Sequence, residues 1–185
     1  MGFTGQVLST VRVAVVLSVA AGCASPESTY SASGDRTAVS VPTDVATTAY
    51  FGIELLTAHP GDVVQLHAVA PQGLRGNASV DGIASVLGAE RSWIGAATEA
   101  EVIDGGIDLH AYQSVAGVVF AEHDGPVALA VRVAGKEPVV GFDALTLEFT
   151  VNGGQRLLQT FPVKVRFCRA QTLAEASGLC HRELE

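Results

Sequence analysis

The amino-acid sequence predicts an all-β protein, an antiparallel β-sandwich with one short C-terminal helix. Three observations support this fold class. Apolar and polar residues alternate along several short segments, 20 glycines and 7 prolines interrupt the chain, and 48% of its 185 residues are hydrophobic. A strand with one buried face requires alternation with a period of two, and Gly and Pro at this density mark the turns between such strands.

The clearest strand signals lie in the C-terminal third. Apolar residues alternate with polar ones from Leu145 to Val151, and Asn152-Gly153-Gly154 then supplies residues that tolerate positive φ. A second alternating run extends from Phe161 to Phe167. We therefore predict a β-hairpin between the two runs, in which Glu148 faces basic residues of the second strand on the solvated side.

Further strands are predicted where the alternation is less regular. They lie at Phe51 to Leu55, Val63 to Val69, Ile107 to Tyr112 and Val127 to Val133, and the stretch Val115 to Phe120 is apolar on both faces, as in a central strand. Roughly seven or eight short strands are typical of an immunoglobulin-like sandwich, which is the first choice. A closed barrel or jelly roll is the second choice.

One helix is predicted near the C-terminus. Thr172-Leu173-Ala174-Glu175 has the spacing of a capping box, and Gly178 suits the position just past a helix end. The helix is expected at about Leu173 to Ser177.

The N-terminal segment carries the most specific motif. Val13 to Ala21 is an apolar run, and its continuation Ala20-Ala21-Gly22-Cys23 resembles the lipobox of bacterial lipoprotein signal peptides. The resemblance implies that residues 1–22 are removed and that Cys23 carries lipid. It also implies a protein anchored by that lipid on the extracytoplasmic face of the bacterial cell membrane. A plain secretory signal is an alternative, whereas a transmembrane helix needs about 20 apolar residues.

Composition divides the remaining chain into a tether and a domain. Residues 23–48 consist mainly of Ser, Thr, Ala, Pro and Val without apolar periodicity, which predicts a disordered, lipidated tether. Residues 49–185 are long enough for one sandwich domain with a single core.

Two cysteines, Cys168 and Cys180, remain once Cys23 is lipidated. In an exported protein they most simply form a disulfide. A metal site and a redox pair are the alternatives. Neither cysteine belongs to a CxxC motif, and together with His181 the two thiols leave a zinc site one ligand short.

Charge argues against nucleic acid as a partner. The formal net charge is −8 at pH 7, whereas binding to phosphates requires a concentrated basic surface. Lys164, Arg166 and Arg169 give the C-terminal part a basic character, which we interpret as an ordinary solvated strand face rather than a docking surface.

The sequence contains no G-x-S-x-G, H-E-x-x-H, P-loop or helix-opening G-x-G-x-x-G motif, so we predict no catalytic residue and no cofactor. The lone tryptophan, Trp93, is interpreted as a core residue. His67 and His110 lie on predicted strands and are candidate metal ligands, although surface histidines are the preferred interpretation. A blue-copper centre usually adds a methionine, and the one methionine is Met1.

Two functions remain after these exclusions. The first is a noncatalytic lipoprotein whose sandwich binds a cell-envelope protein or other ligand through loops or a sheet edge. The second is a metal-binding or redox-linked, cupredoxin-like lipoprotein that uses the strand histidines.

Overall fold

The computed structural model describes residues 29–33, 36–87 and 93–185. The predicted signal segment 1–22 and Cys23 lie outside this part of the chain. The strands are β1 Thr29–Ser33, β2 Arg36–Pro42, β3 Thr48–Leu56, β4 Val63–Gln72, β5 Ser79–Val86, β6 Ala96–Thr98, β7 Gln113–Ser114, β8 Val119–Ala121, β9 Val127–Ala134, β10 Val139–Phe142, β11 Ala144–Val151, β12 Leu157–Phe161 and β13 Lys164–Ala170. The helices are α1 Glu99–Asp104 and α2 Leu173–Leu184.

The strands form three sheets. Sheet A has the order β1-β2-β13-β10, sheet B the order β6-β3-β9-β5-β7, and sheet C the order β12-β11-β4-β8. Neighbours are antiparallel except β2 and β13, which are parallel. The chain passes directly from sheet A to sheet C after β10, and from sheet C back to sheet A after β12.

One main core joins the three sheets. Phe51 and Leu129 of sheet B pack in the same cluster as Phe167 of sheet A and Leu147 of sheet C. The predicted antiparallel β-sandwich with one C-terminal helix is confirmed, and the described residues form no closed barrel. A smaller cluster lies on sheet B around Tyr50, Ile94, Val102 and Ala130, and a third joins α2 to sheet A.

The predicted tether is wrong over its C-terminal part. Residues 36–42 form β2 between β1 and β13, with Ala38, Val39 and Val41 buried. Small and β-branched residues that lack a clear period suit a strand covered on both faces, here by the main core and by α2. The folded domain therefore begins well before residue 49.

The predicted C-terminal hairpin exists, but its second strand is different. β11 pairs with β12, Leu157–Phe161, whereas the predicted partner run continues into β13 of sheet A. Pro162 lies between β12 and β13, and because proline has no N–H it interrupts the ladder there. Glu148 is opposite Leu158 and forms an ion pair with Arg156.

Arg166 and Arg169 of β13 do not lie on a solvated face, so the interpretation of these two residues was wrong, whereas Lys164 is half-exposed. Arg166 is 0% exposed. Its guanidinium donates to the carbonyls of Phe142 at 2.7 Å and Val165 at 2.9 Å, and to Asp143 Oδ1 at 2.5 Å. Arg169 is also buried and donates to backbone carbonyls. The Arg166 side chain stabilises the corner at which the chain leaves sheet A for sheet C, whereas Arg169 binds the carbonyls of Gly135 and Thr43.

Three predicted strands are confirmed within β3, β4 and β9, and two are not. Residues 107–112 contain a 3₁₀ turn, Leu109–Ala111, and the segment 115–120 contains another before the short β8. The Asp108 side chain accepts a hydrogen bond from the His110 N–H at 2.9 Å, and this cap favours a turn over a strand.

Helix α2 begins where the sequence predicts and ends later. The Thr172 hydroxyl accepts from the Glu175 N–H at 3.3 Å, which confirms the capping box. The helix passes through Gly178 because it is held from outside: the predicted Cys168–Cys180 disulfide is present, and Arg36 donates to the Leu184 carbonyl at 2.6 Å. Tertiary contacts thus override the weak helix propensity of glycine.

No helix in the described ranges is both long enough and apolar enough to cross a bilayer.

Candidate functional site

An apolar cleft of about 70 Å³ opens between the end of β3 and the inner face of sheet C. Its walls come from the end of β3 with the following loop, and from β4, β8, β11 and β12. The lining residues are mostly aliphatic or aromatic: Leu55, Leu56, Thr57, Ala58, His59, Asp62, Val64, Leu66, Phe120, Leu147, Phe149, Val151 and Gln159. A concave apolar surface with a few polar groups at its margin is typical of ligand sites, and this cleft is smaller than the ~300–1,000 Å³ of sites that enclose drug-sized ligands.

Irregular pairing in two walls accounts for this opening. The register of β3 against β9 shifts between Gly52 and Glu54, and that of β11 against β4 shifts between Glu148 and Phe149. An extra residue in one strand of a pair bends it and increases its twist. Both shifts immediately precede cleft-lining residues, so we infer that the bends separate the sheets at this end.

A turn fixed by Asn152 supports the margin of the cleft. The Asn152 side chain accepts from the Val63 N–H at 2.8 Å and donates to Asp62 Oδ1 at 2.9 Å. Asn152 has φ 52°, a conformation that asparagine tolerates better than most residues. The turn residue identified from the sequence therefore also sets the position of an acidic group at the cleft.

The cleft end of the domain is acidic. Glu54 and Asp62 lie in the segment 53–64, Glu122 and Asp124 lie in the segment 119–127, and neither segment contains Lys or Arg. The two segments meet, because β8 pairs with β4. Burial raises the pKa of Glu54 above its usual range. A ligand at this end meets apolar walls and a negatively charged margin.

The structure does not bring the two candidate histidines together. His67 lies on β4, where its Nε2 is 3.2 Å from Thr150 Oγ1. His110 is exposed on the turn Leu109–Ala111, so its predicted strand position is wrong. Within the described ranges, no three His, Cys, Asp or Glu side chains are grouped so that they could hold a metal ion.

Trp93 is half-buried and lies against β3. A Cβ atom placed on Gly52 would be only 2.7 Å from the Trp93 ring, so the ring lies directly over the strand backbone. Gly52 is opposite Ala130 of the smaller cluster. The interpretation of Trp93 as a core residue therefore holds only in part, because the ring is half-buried and packs on the backbone of sheet B.

The outer edge of sheet C is apolar and exposed. Leu158 of β12 is 71% exposed and Leu157 is 44% exposed. Sequence reasoning missed both this edge and the cleft. The consecutive pairs Leu55-Leu56 and Leu157-Leu158 were available signals, because two adjacent leucines cannot both face one core across a regular strand.

Comparison of the chain with protein-family models, with curated proteins and with solved structures finds no match.

Proposed function

We propose that this protein is a lipid-anchored, extracytoplasmic lipoprotein of the bacterial cell membrane whose β-sandwich is a noncatalytic binding domain. The cleft is its binding site. The observation that carries the proposal is the position of the cleft, which lies at the end of the sandwich opposite to the N-terminal strand.

Strand pairing supports this placement. Thr29 of β1 is opposite Ser40, close to the end of β2, and the chain then continues through 43–47 to Thr48 at the start of β3. The cleft lies where β3 ends. β3 has 9 residues, so these two ends are about 30 Å apart.

The predicted lipid anchor, Cys23, precedes the end of the domain at Thr29 by a short segment. Cys23 is six residues before Thr29, and six residues span at most about 20 Å when extended. A lipid on Cys23 would therefore hold the end formed by Thr29 and residues 43–47 near the membrane. The cleft would then face away from the membrane, where an envelope protein or ligand can reach it.

The side chains in the cleft favour binding over catalysis. Most of the wall is aliphatic or aromatic, and the Asp62 carboxylate already accepts a hydrogen bond from Asn152. His59 is exposed at the margin. Burial of apolar surface is the interaction that this geometry offers a ligand.

An uncharged fluorescent probe, N-phenyl-1-naphthylamine, tests the cleft. We expect its emission to increase and shift to the blue when it binds the wild-type protein. Ala58→Phe fills part of the cleft and should weaken binding about tenfold, the effect of losing roughly 1.5 kcal/mol of apolar burial.

The matched control is Ala70→Phe, because Ala70 is exposed on β4 and does not line the cleft. This variant should bind the probe as the wild type does. Equal binding by both variants, or no binding by the wild-type protein, would refute the cleft as a binding site.

A further inference from the structure

The ladder between β4 and β8 forms one wall of the cleft. Val64 lies opposite Phe120 in this ladder, and both residues line the cleft. Val63 lies opposite Ala121 at the next position, where the ladder ends. Because alternate residues of a strand project to the same face, the side chains that continue the cleft wall beyond this point belong to positions 62 and 122.

Two carboxylates occupy these positions. Asp62 directly precedes β4 and lines the cleft. Glu122 directly follows β8, and the strand direction continues to it because Ala121 has an extended backbone, with φ −129° and ψ 174°. Asp62 and Glu122 also line one open hollow together. The mouth of the apolar cleft therefore carries two carboxylates that face each other across the end of a strand pair.

The charge of these carboxylates is not compensated. Among the residues that the structure describes, neither Asp62 nor Glu122 forms an ion pair, and no Lys or Arg lines the cleft or the hollow. One oxygen of Asp62 accepts a hydrogen bond from the neutral Asn152 amide at 2.9 Å. Like charges opposite each other destabilise a strand pair. A cation held between the two carboxylates would remove this repulsion.

The size of the cleft limits the apolar part of a ligand. An enclosed cavity that binds one benzene ring has a volume of ~150 Å³, whereas the cleft has about 70 Å³. It therefore suits the edge of a single ring or a short branched chain, and a long acyl chain is too large. The rest of such a ligand lies at the mouth, next to the carboxylates.

We propose that the cleft binds a small organic cation, whose short apolar group enters the cleft while its ammonium group lies between Asp62 and Glu122. This inference rests on the proposed binding function and names the chemical class of the ligand. Burial of the apolar group provides affinity, and the two carboxylates discriminate between ligands of different charge.

Three ligands of similar size and different charge test the inference: 2-phenylethylamine, 2-phenylethanol and 3-phenylpropionate. Ligand-observed NMR measures their dissociation constants on the full-length protein in uncharged detergent micelles, with protein-free micelles as the blank. The pH is about 8, at which an unperturbed histidine is neutral. We expect the cation to bind about tenfold more tightly than the alcohol, and the anion to bind most weakly. Added salt should reduce these differences, because it screens exposed charges.

Matched protein variants locate the ammonium group. Glu122→Gln keeps the size of the side chain and removes one charge, so it should weaken binding of the amine about threefold and leave binding of the alcohol unchanged. Asp104→Asn is the control, because Asp104 is exposed in α1 and lines neither the cleft nor the hollow. This variant should bind all three ligands as the wild type does.

Other outcomes would overturn the inference. If N-phenyl-1-naphthylamine occupies the cleft but the amine binds no more tightly than the alcohol, the cation site is wrong and the binding function stands. The same conclusion follows if Glu122→Gln leaves the preference for the amine unchanged, or if Ala58→Phe does not weaken binding of the amine. If neither N-phenyl-1-naphthylamine nor the amine binds, both proposals fail.

Discussion

Arg166→Ala is expected to destabilise the folded protein by about 3–5 kcal/mol, because it leaves two buried carbonyls without a donor, at about 1–3 kcal/mol each, and removes a fully buried side chain. The guanidinium has 0% side-chain exposure and satisfies two backbone carbonyls besides Asp143. Its removal leaves the carbonyls of Phe142 and Val165 without this donor and opens a cavity at the corner between sheets A and C. Urea unfolding followed by tryptophan fluorescence measures the change.

Arg156→Ala is the matched control. The Arg156–Glu148 ion pair lies on the surface, with 68% of the arginine side chain exposed, and such pairs contribute about 0–1 kcal/mol. Equal destabilisation by the two variants would contradict the structural role assigned to Arg166.

The ion pair between Arg166 and Asp143 makes part of the protein's stability depend on pH in the acidic range. The Arg166 guanidinium beside Asp143 holds the pKa of that carboxyl below its usual range. Since the folded-state pKa is depressed, the stabilisation is present above the unfolded-state pKa and is lost as the pH falls through the folded-state value. Asp143→Asn should therefore flatten the decline in stability at acidic pH, by a modest amount because the Asp143 side chain is 42% exposed.

Removal of the disulfide is expected to cause the second large loss of folding stability. Cys168 and Cys180 are separated by 12 residues, and closing a loop of this size contributes roughly 3 kcal/mol in the chain-entropy description. The bridge also joins α2 to β13, with Cys168 and Cys180 in the cluster that contains Ala38. The double variant Cys168→Ala, Cys180→Ala should lose about this stability and part of its helical circular-dichroism signal.

Cys23→Ala is the control for that experiment, since it removes a cysteine and leaves the bridge intact. It should unfold at the wild-type urea concentration. A double variant that also retains wild-type stability and helicity would show that the bridge does not hold α2 in place.

Patterns within short stretches of sequence correctly predicted the elements whose formation depends on neighbouring residues. The alternation in β11, the capping box at Thr172 and the cysteine pairing needed little knowledge of the rest of the fold. β2 could not be recognised in this way, because its parallel partner β13 lies more than a hundred residues later and its small side chains are buried on both faces.

The candidate site depended on features with still weaker sequence signals. Pro162 divides one alternating run between two sheets, which leaves β12 as an edge. The cleft follows from register shifts near Gly52 and Glu148, and a shift in pairing depends on both strands. The alternating pattern places Arg166 on the polar face of its strand, which predicts exposure to solvent. The pattern contains no information about the helix α2 that covers this part of sheet A.

Fluorescence quenching in lipid vesicles tests the proposed orientation most directly. A fluorophore is attached to Asp44→Cys or to Thr57→Cys, both exposed, at the two ends of the domain. With Cys23 lipidated and the disulfide formed, each introduced thiol is the free one. A quencher confined to the bilayer should quench the label at residue 44 strongly and that at residue 57 little, and Cys23→Ala should abolish both. Equal quenching at the two ends, or quenching that survives Cys23→Ala, would contradict an anchored domain whose cleft faces away from the membrane.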